Sequence, residues 1–406
     1  MAQQGRQVRR VLIVSDFASV TGGQAKVAID SARLLADRGI GVLFFAACGP
    51  VSDMLDHPGI RVICLGQRTI LDEPSRLRAM TTGIWNTAAL RRLREVIAGM
   101  DAGCDVLHCH GFAKALSPAI GRALAGGGIR SVFTMHEYFL ACPNGGFFDY
   151  RRQEICHRPA LGWSCVTTNC DARRIEHKAW RVLRGAVGAT LGKLPRGLCD
   201  VIYISDRQRQ VMAPYLPRAA RLHHVSNPVE AGGPRVDAAA NRELVFVGRL
   251  SPEKGALQLA QAAASLRMPV TFVGDGPEEE RIRQANPDAR ITGWRTPAEV
   301  QEYLGRARAL VFPSLWYEGQ PLVPIEALLR GIPVVCGNWS AATESVQDGQ
   351  NGIIYDRPDA DSLKAALLRL PALGRFDPGA LADHVAPTTH ADRLIGIYDG
   401  MLSRAS

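Results

Sequence analysis

Short apolar runs alternate with amphipathic stretches along almost the whole chain. This alternation predicts β-strands and α-helices in turn, which form parallel sheets with helices on both faces. About six strands are predicted in each half, enough for one doubly wound sheet per half. They are Val11–Val14, Gly41–Ala46, Arg61–Leu65, Val106–His108, Ser131–Met135 and Val201–Ile204, then Leu244–Val247, Pro269–Val273, Arg290–Thr292, Ala309–Phe312, Pro333–Val335 and Gly352–Ile354.

The domain organisation follows from length and from one irregular segment. A chain of 406 residues suits two domains of about 200 residues each. The segment from Asn227 to Asn241 is rich in Pro, Gly and Ala and lacks periodicity, so we predict a linker there. We expect an α/β fold with two Rossmann-like doubly wound domains, residues 1–228 and 229–388, facing each other across a cleft. Residues 389–406 are predicted to form a helix that returns to the first domain.

Composition narrows the classes of protein. No apolar run approaches the roughly 20 residues of a membrane-spanning helix. The polar, basic start passes directly into the first strand without a separate signal-peptide core, so we expect a cytoplasmic protein. The ten cysteines are then expected to be mostly reduced.

The net charge of +9 is unevenly distributed. Lys and Arg outnumber Asp and Glu by 30 to 17 in residues 1–228, whereas residues 229–406 hold 18 against 22. Such asymmetry indicates either an anionic partner or an arginine-rich solvated surface. Nucleic acid is not expected as a partner, because the basic half lacks interleaved aromatics and any known binding motif.

The second half contains a candidate phosphate site. A predicted strand ends at Gly248, and Ser251 and Pro252 fit the N-cap and first position of a helix. Arg249 and Lys254 would then face the crevice where α/β sheets bind ligands, or else form an ordinary surface pair. The following strands end at Gly274 and Gly293, where backbone amides could approach a base or a phosphate.

Two carboxylates eight positions apart are the sharpest signal. Glu318 lies in a loop after a predicted strand, and Glu326 lies in the helix that follows. The helix would begin between them, at Gly319, Gln320, Pro321 (which lacks an amide hydrogen) and Leu322. A loop carboxylate can accept hydrogen bonds from sugar hydroxyls, the helix start can bind phosphate, and the second carboxylate can reach a ribose diol. The alternative is two solvent-facing acids beside a turn.

Candidate residues in the first half follow its strands. Gly22 and Gly23 form a tight turn after the first strand, and His110 follows the strand that contains His108. His136 and Glu137 come directly after the next strand and could line an acceptor pocket. Each of these residues could equally serve a structural role.

Together these segments resemble the donor domain of the family 4 glycosyltransferases, which have the GT-B fold and retain anomeric configuration. The match covers GRLSPEKG, VGDGP, TGW, the E-x7-E spacing of Glu318 and Glu326, and Thr343-Glu344 through Asn351-Gly352. The resemblance implies that Arg249 and Lys254 bind the donor diphosphate, Glu318 and His110 the sugar, and Glu326 the ribose. The glycine loop would lie at the cleft. The family usually has Phe or another large residue where this chain has Gln320, so the sugar pocket is expected to differ.

By the same resemblance, a UDP- or GDP-sugar is the expected donor, and a glycan or polyprenyl-linked saccharide is the expected acceptor in cell-surface polysaccharide synthesis. The front-face mechanism needs no protein nucleophile. No catalytic metal is expected, since none of the predicted phosphate-binding segments carries an Asp-x-Asp motif. Two alternatives remain open: a non-catalytic scaffold of a polysaccharide assembly complex, and a nucleotide-sugar epimerase.

Two segments depart from this plan. Cys142, Cys156, Cys165 and Cys170, in the loop 142–170, could form a structural zinc site, an iron–sulfur site or a set of reduced thiols. Residues 173–196 place arginines and lysines among apolar residues, as in a helix that lies on an anionic bilayer, although an ordinary surface helix has the same composition. A protein bound in this way would lie peripherally on the inner face of the cell membrane.

Overall fold

The computed structural model describes residues 7–404. Its first unit contains a seven-stranded parallel sheet in the order β3-β2-β1-β4-β5-β8-β9 and a short antiparallel hairpin, β6-β7. The strands are β1 (Arg10–Phe17), β2 (Gly41–Cys48), β3 (Ile60–Cys64), β4 (Asp105–Cys109), β5 (Arg130–Thr134), β6 (Phe148–Asp149), β7 (Glu154–Ile155), β8 (Asp200–Tyr203) and β9 (Arg221–His224). The helices are α1 (Gly23–Asp37), α2 (Arg76–Ile84), α3 (Thr87–Ala98), α4 (Gly121–Leu124), α5 (Trp163–Thr167), α6 (Ile175–Thr190) and α7 (Asp206–Met212).

The second unit contains a six-stranded parallel sheet in the order β12-β11-β10-β13-β14-β15. Its strands are β10 (Glu243–Val247), β11 (Val270–Val273), β12 (Arg290–Ile291), β13 (Ala307–Phe312), β14 (Val334–Gly337) and β15 (Gly352–Tyr355). The helices are α8 (Ala256–Leu266), α9 (Glu279–Ala285), α10 (Pro297–Gly305), α11 (Leu322–Leu329), α12 (Ala360–Leu368), α13 (Gly379–Val385) and α14 (Pro387–Ser403). The structure thus has the predicted α/β class, with two doubly wound parallel sheets.

Every predicted strand forms, and the first sheet has one more than expected. The additional strand β9 has the sequence Arg-Leu-His-His and lies at the edge of the sheet, where its side chains stay partly exposed. It therefore carries no apolar run that a periodicity argument could detect. The buried strands, by contrast, are almost wholly apolar, as expected for a parallel sheet covered on both faces.

Apolar layers on the two faces of each sheet form the core. The last helix, α14, packs against α1 of the first unit, and Tyr398 on α14 is fully buried there. The structure therefore takes the chain back to the first unit after the second sheet. The predicted domain limits at residues 228 and 388 stay predictions.

A long excursion between β5 and β8 carries the cysteine-bearing loop and the helices α5 and α6. Because it leaves from the carboxyl end of β5, it starts at the edge of the sheet where ligands bind in open α/β folds. None of the helices within residues 7–404 is both long and apolar enough to cross a bilayer.

Candidate active site

The carboxyl ends of the two sheets meet at the cleft between the units, and hydrogen bonds cross it. The hydroxyl of Tyr138 donates to the carbonyl of Glu318 at 3.2 Å. The backbone amide of Asn227 donates to Oε1 of Gln320 at 2.6 Å. The backbone amides of residues 206 and 207, at the start of α7, donate to the Glu344 carboxylate of the second unit. The loop that follows β13 is therefore held against the first unit.

The carboxylate of Glu318, in this loop, accepts hydrogen bonds from three side chains. Lys254 Nζ, Trp316 Nε1 and Ser314 Oγ donate to its Oε1 at 2.6, 2.7 and 2.8 Å. Burial alone would raise the pKa of Glu318, but the Lys254 charge and the three hydrogen bonds outweigh it and lower the pKa. All three donors reach Oε1, and Oε2 has no hydrogen bond to any residue from 7 to 404. Glu318 is therefore an ionised carboxylate with one acceptor oxygen available to a ligand.

Glycine is required next to this carboxylate. A Cβ at Gly319 would lie 2.9 Å from the backbone oxygen of His136, across the cleft. The absence of a side chain thus lets the two units approach at the point where Glu318 is presented. The side-chain oxygen of Gln320, the residue that departs from the family pattern, accepts a hydrogen bond from the backbone amide of Asn227.

The glycine-ended strands β10, β11 and β12 line up beside this loop. Gly274 pairs with Gly293 in an isolated bridge, and a Cβ on Gly274 would lie 2.0 Å from the carbonyl oxygen of Gly248. Gly274 also has a φ of 146°, which side chains other than hydrogen rarely allow. The three predicted glycines therefore share one edge of the donor-side sheet.

The predicted helix start in this region is wrong by four residues. Pro252–Lys254 forms a short 3₁₀ turn, and α8 begins only at Ala256, after Gly255 in a left-handed conformation. A side chain at Gly255 would clash with the carbonyl of Pro313, so the close approach of the two loops sets this break. Lys254 still faces Glu318, whereas Arg249 is exposed and pairs with no described residue.

Glu326 projects from α11 into a cleft of about 740 Å³ between the units. Gln301 Nε2 donates to its Oε2 at 3.0 Å. Burial raises the pKa of Glu326, and the nearby charge of Lys26 on α1 acts in the opposite direction. The cleft is lined from both units, so a ligand bound to Glu326 would also touch α1.

The glycine loop and the histidines lie on the opposite wall. Gly22 precedes α1, and the Cβ position of Gly23 is 3.8 Å from Leu322 of α11. His110 Nδ1 lies 3.0 Å from His136 Nε2, while His110 Nε2 is buried without a hydrogen-bond partner. Burial and the neighbouring histidines hold the pKa of His110 well below its ordinary value. A neutral imidazole with an unsatisfied ring nitrogen therefore faces the cleft side of β4.

His108, which alternation places on the same face, has a structural role instead. Its two ring nitrogens lie 2.6 Å from Tyr398 Oη and 2.6 Å from Thr134 Oγ1. Both nitrogens are thus satisfied inside the protein. His110 differs from His108 in keeping one ring nitrogen without a hydrogen-bond partner among residues 7–404, and its role as the cleft residue stays a prediction.

Glu137 lies beside His136 in a different environment. Burial raises its pKa to about 7, although Lys114 and Arg184 act to lower it. No residue from 7 to 404 forms a hydrogen bond or ion pair with its carboxylate. The neighbouring Asp16, in contrast, accepts three backbone amide hydrogens from residues 114–116. The part of the first unit next to the cleft therefore contains a carboxyl group with no side-chain or backbone partner among residues 7–404, and the acceptor-side role of His136 and Glu137 stays a prediction.

The four cysteines of the loop do not gather as predicted for zinc. Within residues 7–404 no group of three or more His, Cys, Asp or Glu side chains is arranged so that it could hold a metal ion. Lys178 Nζ instead lies 3.5 Å from Cys165 Sγ and 3.2 Å from Cys170 Sγ. Its positive charge would repel a cation there, so the arrangement does not support the zinc prediction for Cys142, Cys156, Cys165 and Cys170. All ten cysteines are free thiols.

Sequence reasoning missed several residues that support the predicted ones. Ser314 and Trp316 lie two to four positions before Glu318, inside the same loop, and only their hydrogen bonds identify them. Gln301 and Lys26 come from separate elements that meet only in the folded protein. A loop rich in hydrogen-bonding side chains directly before Glu318 was the one signal available.

Two family models match this chain and together span most of it. Residues 22–242 match a glycosyl transferase 4-like domain, and residues 241–372 match the glycosyl transferases group 1 domain. The chain belongs to this glycosyltransferase family. The glycine loop at Gly22 and Gly23 and the paired glutamates Glu318 and Glu326 lie within the matched segments.

Sequence similarity to individual curated proteins is moderate and partial. A putative teichuronic acid biosynthesis glycosyltransferase of Bacillus subtilis is 35% identical over 130 residues, which cover 32% of each chain. A GDP-mannose-dependent phosphatidylinositol monomannoside mannosyltransferase of Mycobacterium tuberculosis is 28% identical over 211 residues, 45% of this chain and 55% of the relative. The match thus spans 32% of the first of these relatives and 55% of the second.

Solved structures share the architecture over nearly the full length. A sucrose-phosphate synthase from Thermosynechococcus elongatus has a TM-score of 0.64 at 18% identity and covers 98% of this chain and 97% of that one. The Anabaena protein HepE, in complex with UDP and glucose, has a TM-score of 0.63 at 16% identity, with 95% and 98% coverage. These likenesses establish the fold, which is GT-B.

Proposed function

We propose that this protein transfers a sugar from a UDP- or GDP-sugar to a hydroxyl group of a glycan or lipid-linked acceptor, with retention and without a metal ion. The observation that carries the proposal is Glu318: an ionised carboxylate with three donors on one oxygen and the other oxygen available in an inter-domain cleft. A carboxylate prepared in this way suits the neutral hydroxyl groups of a sugar.

Each part of the donor would have a partner. Arg249 and Lys254 would neutralise the diphosphate, together with backbone amides at the start of α11. Glu326, positioned by Gln301, would accept the ribose hydroxyls. His110 Nε2, buried without a partner, would exchange a hydrogen bond with the transferred sugar.

The chemistry would be a front-face substitution. The acceptor oxygen forms a bond to the anomeric carbon on the face from which the nucleoside diphosphate leaves, and the bond from that carbon to the phosphate oxygen breaks. The acceptor proton passes to the departing phosphate. Catalysis would then consist of stabilising negative charge on the diphosphate, a role that we assign to Arg249 and Lys254.

Names of relatives support the substrate classes. One relative is named as GDP-mannose-dependent and as acting on a phosphatidylinositol monomannoside, and another structure was solved with UDP and glucose. Others are named for teichuronic acid and amylovoran biosynthesis. These names favour a saccharide or glycolipid acceptor and keep both UDP and GDP as donor candidates.

The test is a transfer assay preceded by a nucleotide panel. UDP, GDP, ADP and TDP are compared for thermal stabilisation without added metal, and a ligand at about 100 times its dissociation constant should stabilise by roughly 2.7 kcal/mol. The corresponding sugar donor is then incubated with lipid-linked saccharides in EDTA, and the product anomer is assigned by NMR. Transfer with inversion would overturn the mechanism, nucleotide release without acceptor would favour an epimerase, and no nucleotide binding would favour a scaffold.

A further inference from the structure

The outward face of α6 carries an apolar stripe, which is unusual for a surface helix. The exposed positions of α6 are Ile175, Glu176, His177, Ala179, Leu183, Ala186 and Thr190. Four of them, Ile175, Ala179, Leu183 and Ala186, are apolar and follow helical spacing. Ile175 and Leu183 are 56% and 53% exposed. A helix packed on one side normally turns polar residues to water. The apolar stripe therefore has no partner within the described chain.

The basic residues of α6 face inward, contrary to the expectation for a helix whose charges lie in solvent. Lys178 is buried beside Cys165 and Cys170. Arg184 is buried and donates to the carbonyl of Phe112. Arg181 forms an ion pair with Asp171 at 2.9 Å. These three charges fix the helix to the protein, which leaves the apolar stripe outermost.

Two neighbouring helices carry further exposed apolar residues. The helix α2 packs against α6, with Trp180 Nε1 donating to the carbonyl of Met80 at 3.2 Å. Leu77 and Met80 of α2 are exposed. The short helix α5 contacts α6 through Cys165 and Lys178, and its first residue, Trp163, is 83% exposed. Exposed apolar residues on three adjacent helices exceed the scattered ones that ordinary surfaces carry.

Charges around this surface favour an anionic partner. In residues 71–84 and 163–196, which contain the three helices, the exposed cations outnumber the exposed acids. The exposed acids there are Asp72 and Glu176. The cations flank the stripe at both ends of α6 and at the start of α2: Arg76, Arg78, Arg173, Arg174, Lys193 and Arg196. Only Arg78 among them is paired with an acid, Glu73. A broad indole, an apolar stripe and flanking cations together match the interface of an anionic bilayer.

We propose that α2, α5 and α6 form a membrane-docking face that inserts Ile175, Leu183 and Trp163 into the headgroup region of an anionic bilayer. The face belongs to the unit that holds the acceptor-side wall, so docking would bring the cleft to a lipid-linked acceptor. This proposal goes beyond the transfer reaction, because it depends on neither the donor nor the acceptor. Each flanking cation would strengthen binding to such a surface by attraction to the anionic headgroups.

The experiment is vesicle flotation of the full chain with phosphatidylcholine alone and with phosphatidylcholine containing phosphatidylglycerol. We expect binding to the anionic vesicles only, reduced at least about tenfold in the double variant Ile175→Ser/Leu183→Ser. Leu368→Ser is the matched control, since Leu368 is 63% exposed on α12 of the other unit. Arg173→Gln/Arg174→Gln should weaken binding and its salt dependence, and brominated lipids should quench wild-type fluorescence more than that of Trp163→Phe.

Nucleotide-induced thermal stabilisation is measured on every variant, which separates docking from donor binding. An unchanged nucleotide shift with lost flotation supports docking as a distinct property. Equal binding of Ile175→Ser/Leu183→Ser and wild type to anionic vesicles, or no binding by the wild type, overturns the proposal. Wild-type self-association that the double variant abolishes would assign the face to a second copy of the chain instead.

Discussion

Two carboxyl groups, Glu318 in the second unit and Glu137 in the first, have their pKa values shifted in opposite directions. Glu318, on the donor side, has its pKa lowered because Lys254, Ser314 and Trp316 outweigh its burial. Glu137, on the acceptor side, has its pKa raised to about 7, since no comparable partner offsets its burial. The donor wall thus arrives preorganised, whereas the acceptor wall keeps unmet hydrogen-bonding capacity, which His110 Nε2 shares. Under the proposed function, the donor would meet an already satisfied carboxylate at Glu318, whereas the opposite wall would gain its hydrogen bonds only from the bound sugar at His110 and the acceptor at Glu137.

Removing Lys254 should break the comparison most severely. Lys254→Met removes the countercharge of the Glu318 carboxylate and one of its three hydrogen-bond donors. The pKa of Glu318 should therefore rise, and its side chain should be held less firmly. We expect kcat/KM to fall about a thousandfold and the free energy of unfolding to fall by about 2–3 kcal/mol, as for a partly buried ion pair. Transfer kinetics and urea unfolding measure the two effects.

Lys364→Met, on α12 of the same unit, is the control. A double-mutant cycle with Glu318→Gln isolates the pair, because the cost of the second change should shrink once the first is made. Additive effects would mean that Lys254 acts independently of Glu318.

Arg249 tests whether the donor wall binds phosphate. Its side chain is exposed and pairs with no described residue, so Arg249→Ala should leave the melting temperature unchanged. Loss of one stabilising charge on the diphosphate should lower kcat/KM about a hundredfold. Arg242→Ala, an exposed arginine of the same unit, serves as the matched control in the same assay. Wild-type turnover by Arg249→Ala would remove this residue from the site.

Glu326 tests whether donor binding and acceptor binding depend on different residues. Glu326→Ala should raise the dissociation constant of the free nucleotide about tenfold, because hydrogen bonds to a charged group contribute about 1.5–3 kcal/mol. The KM for the acceptor should stay constant. Isothermal titration with the preferred nucleotide tests this, with the exposed Glu302→Ala as control. A change in acceptor KM alone would move Glu326 to the other wall.

Local patterns in the sequence predicted much of this structure. The apolar runs located all twelve predicted strands because buried parallel strands are nearly continuous apolar segments. The E-x7-E spacing and the strands that end in glycine predicted that the site lies at the carboxyl ends of the strands of the second sheet, because parallel strands end at the same edge. The edge strand β9 and the true start of α8 were missed, because a polar edge and a close contact of two loops leave no periodic signal.

Inter-element contacts were beyond the reach of the sequence. Nothing in the pattern of residues 173–196 shows that Lys178, Arg181 and Arg184 face inward, because a basic residue is ordinarily assigned to solvent. Likewise, the spacing of four cysteines does not reveal that Lys178 lies beside two of them. Both corrections come from where α6 packs, which is decided by tertiary structure.

The last prediction concerns the pH dependence of stability at Glu137 and tests the other wall of the cleft. Its folded pKa of about 7 exceeds the ordinary value of 4.5, so the folded protein holds a proton that the unfolded chain releases. The resulting stability is fully present below pH 4.5 and is lost as the pH rises through 7. Glu137→Gln mimics the protonated form and should lack this loss.

The measurement is the difference in unfolding free energy between wild type and Glu137→Gln from pH 5 to pH 8, with the exposed Glu154→Gln as control. The wild type should lose on the order of 1–3 kcal/mol relative to the variant over this range. The histidines with lowered pKa titrate in both proteins, so their contribution cancels in the difference. If the difference in unfolding free energy does not change with pH, the pKa of Glu137 is not raised in the folded protein. The contrast with Glu318 would then be wrong.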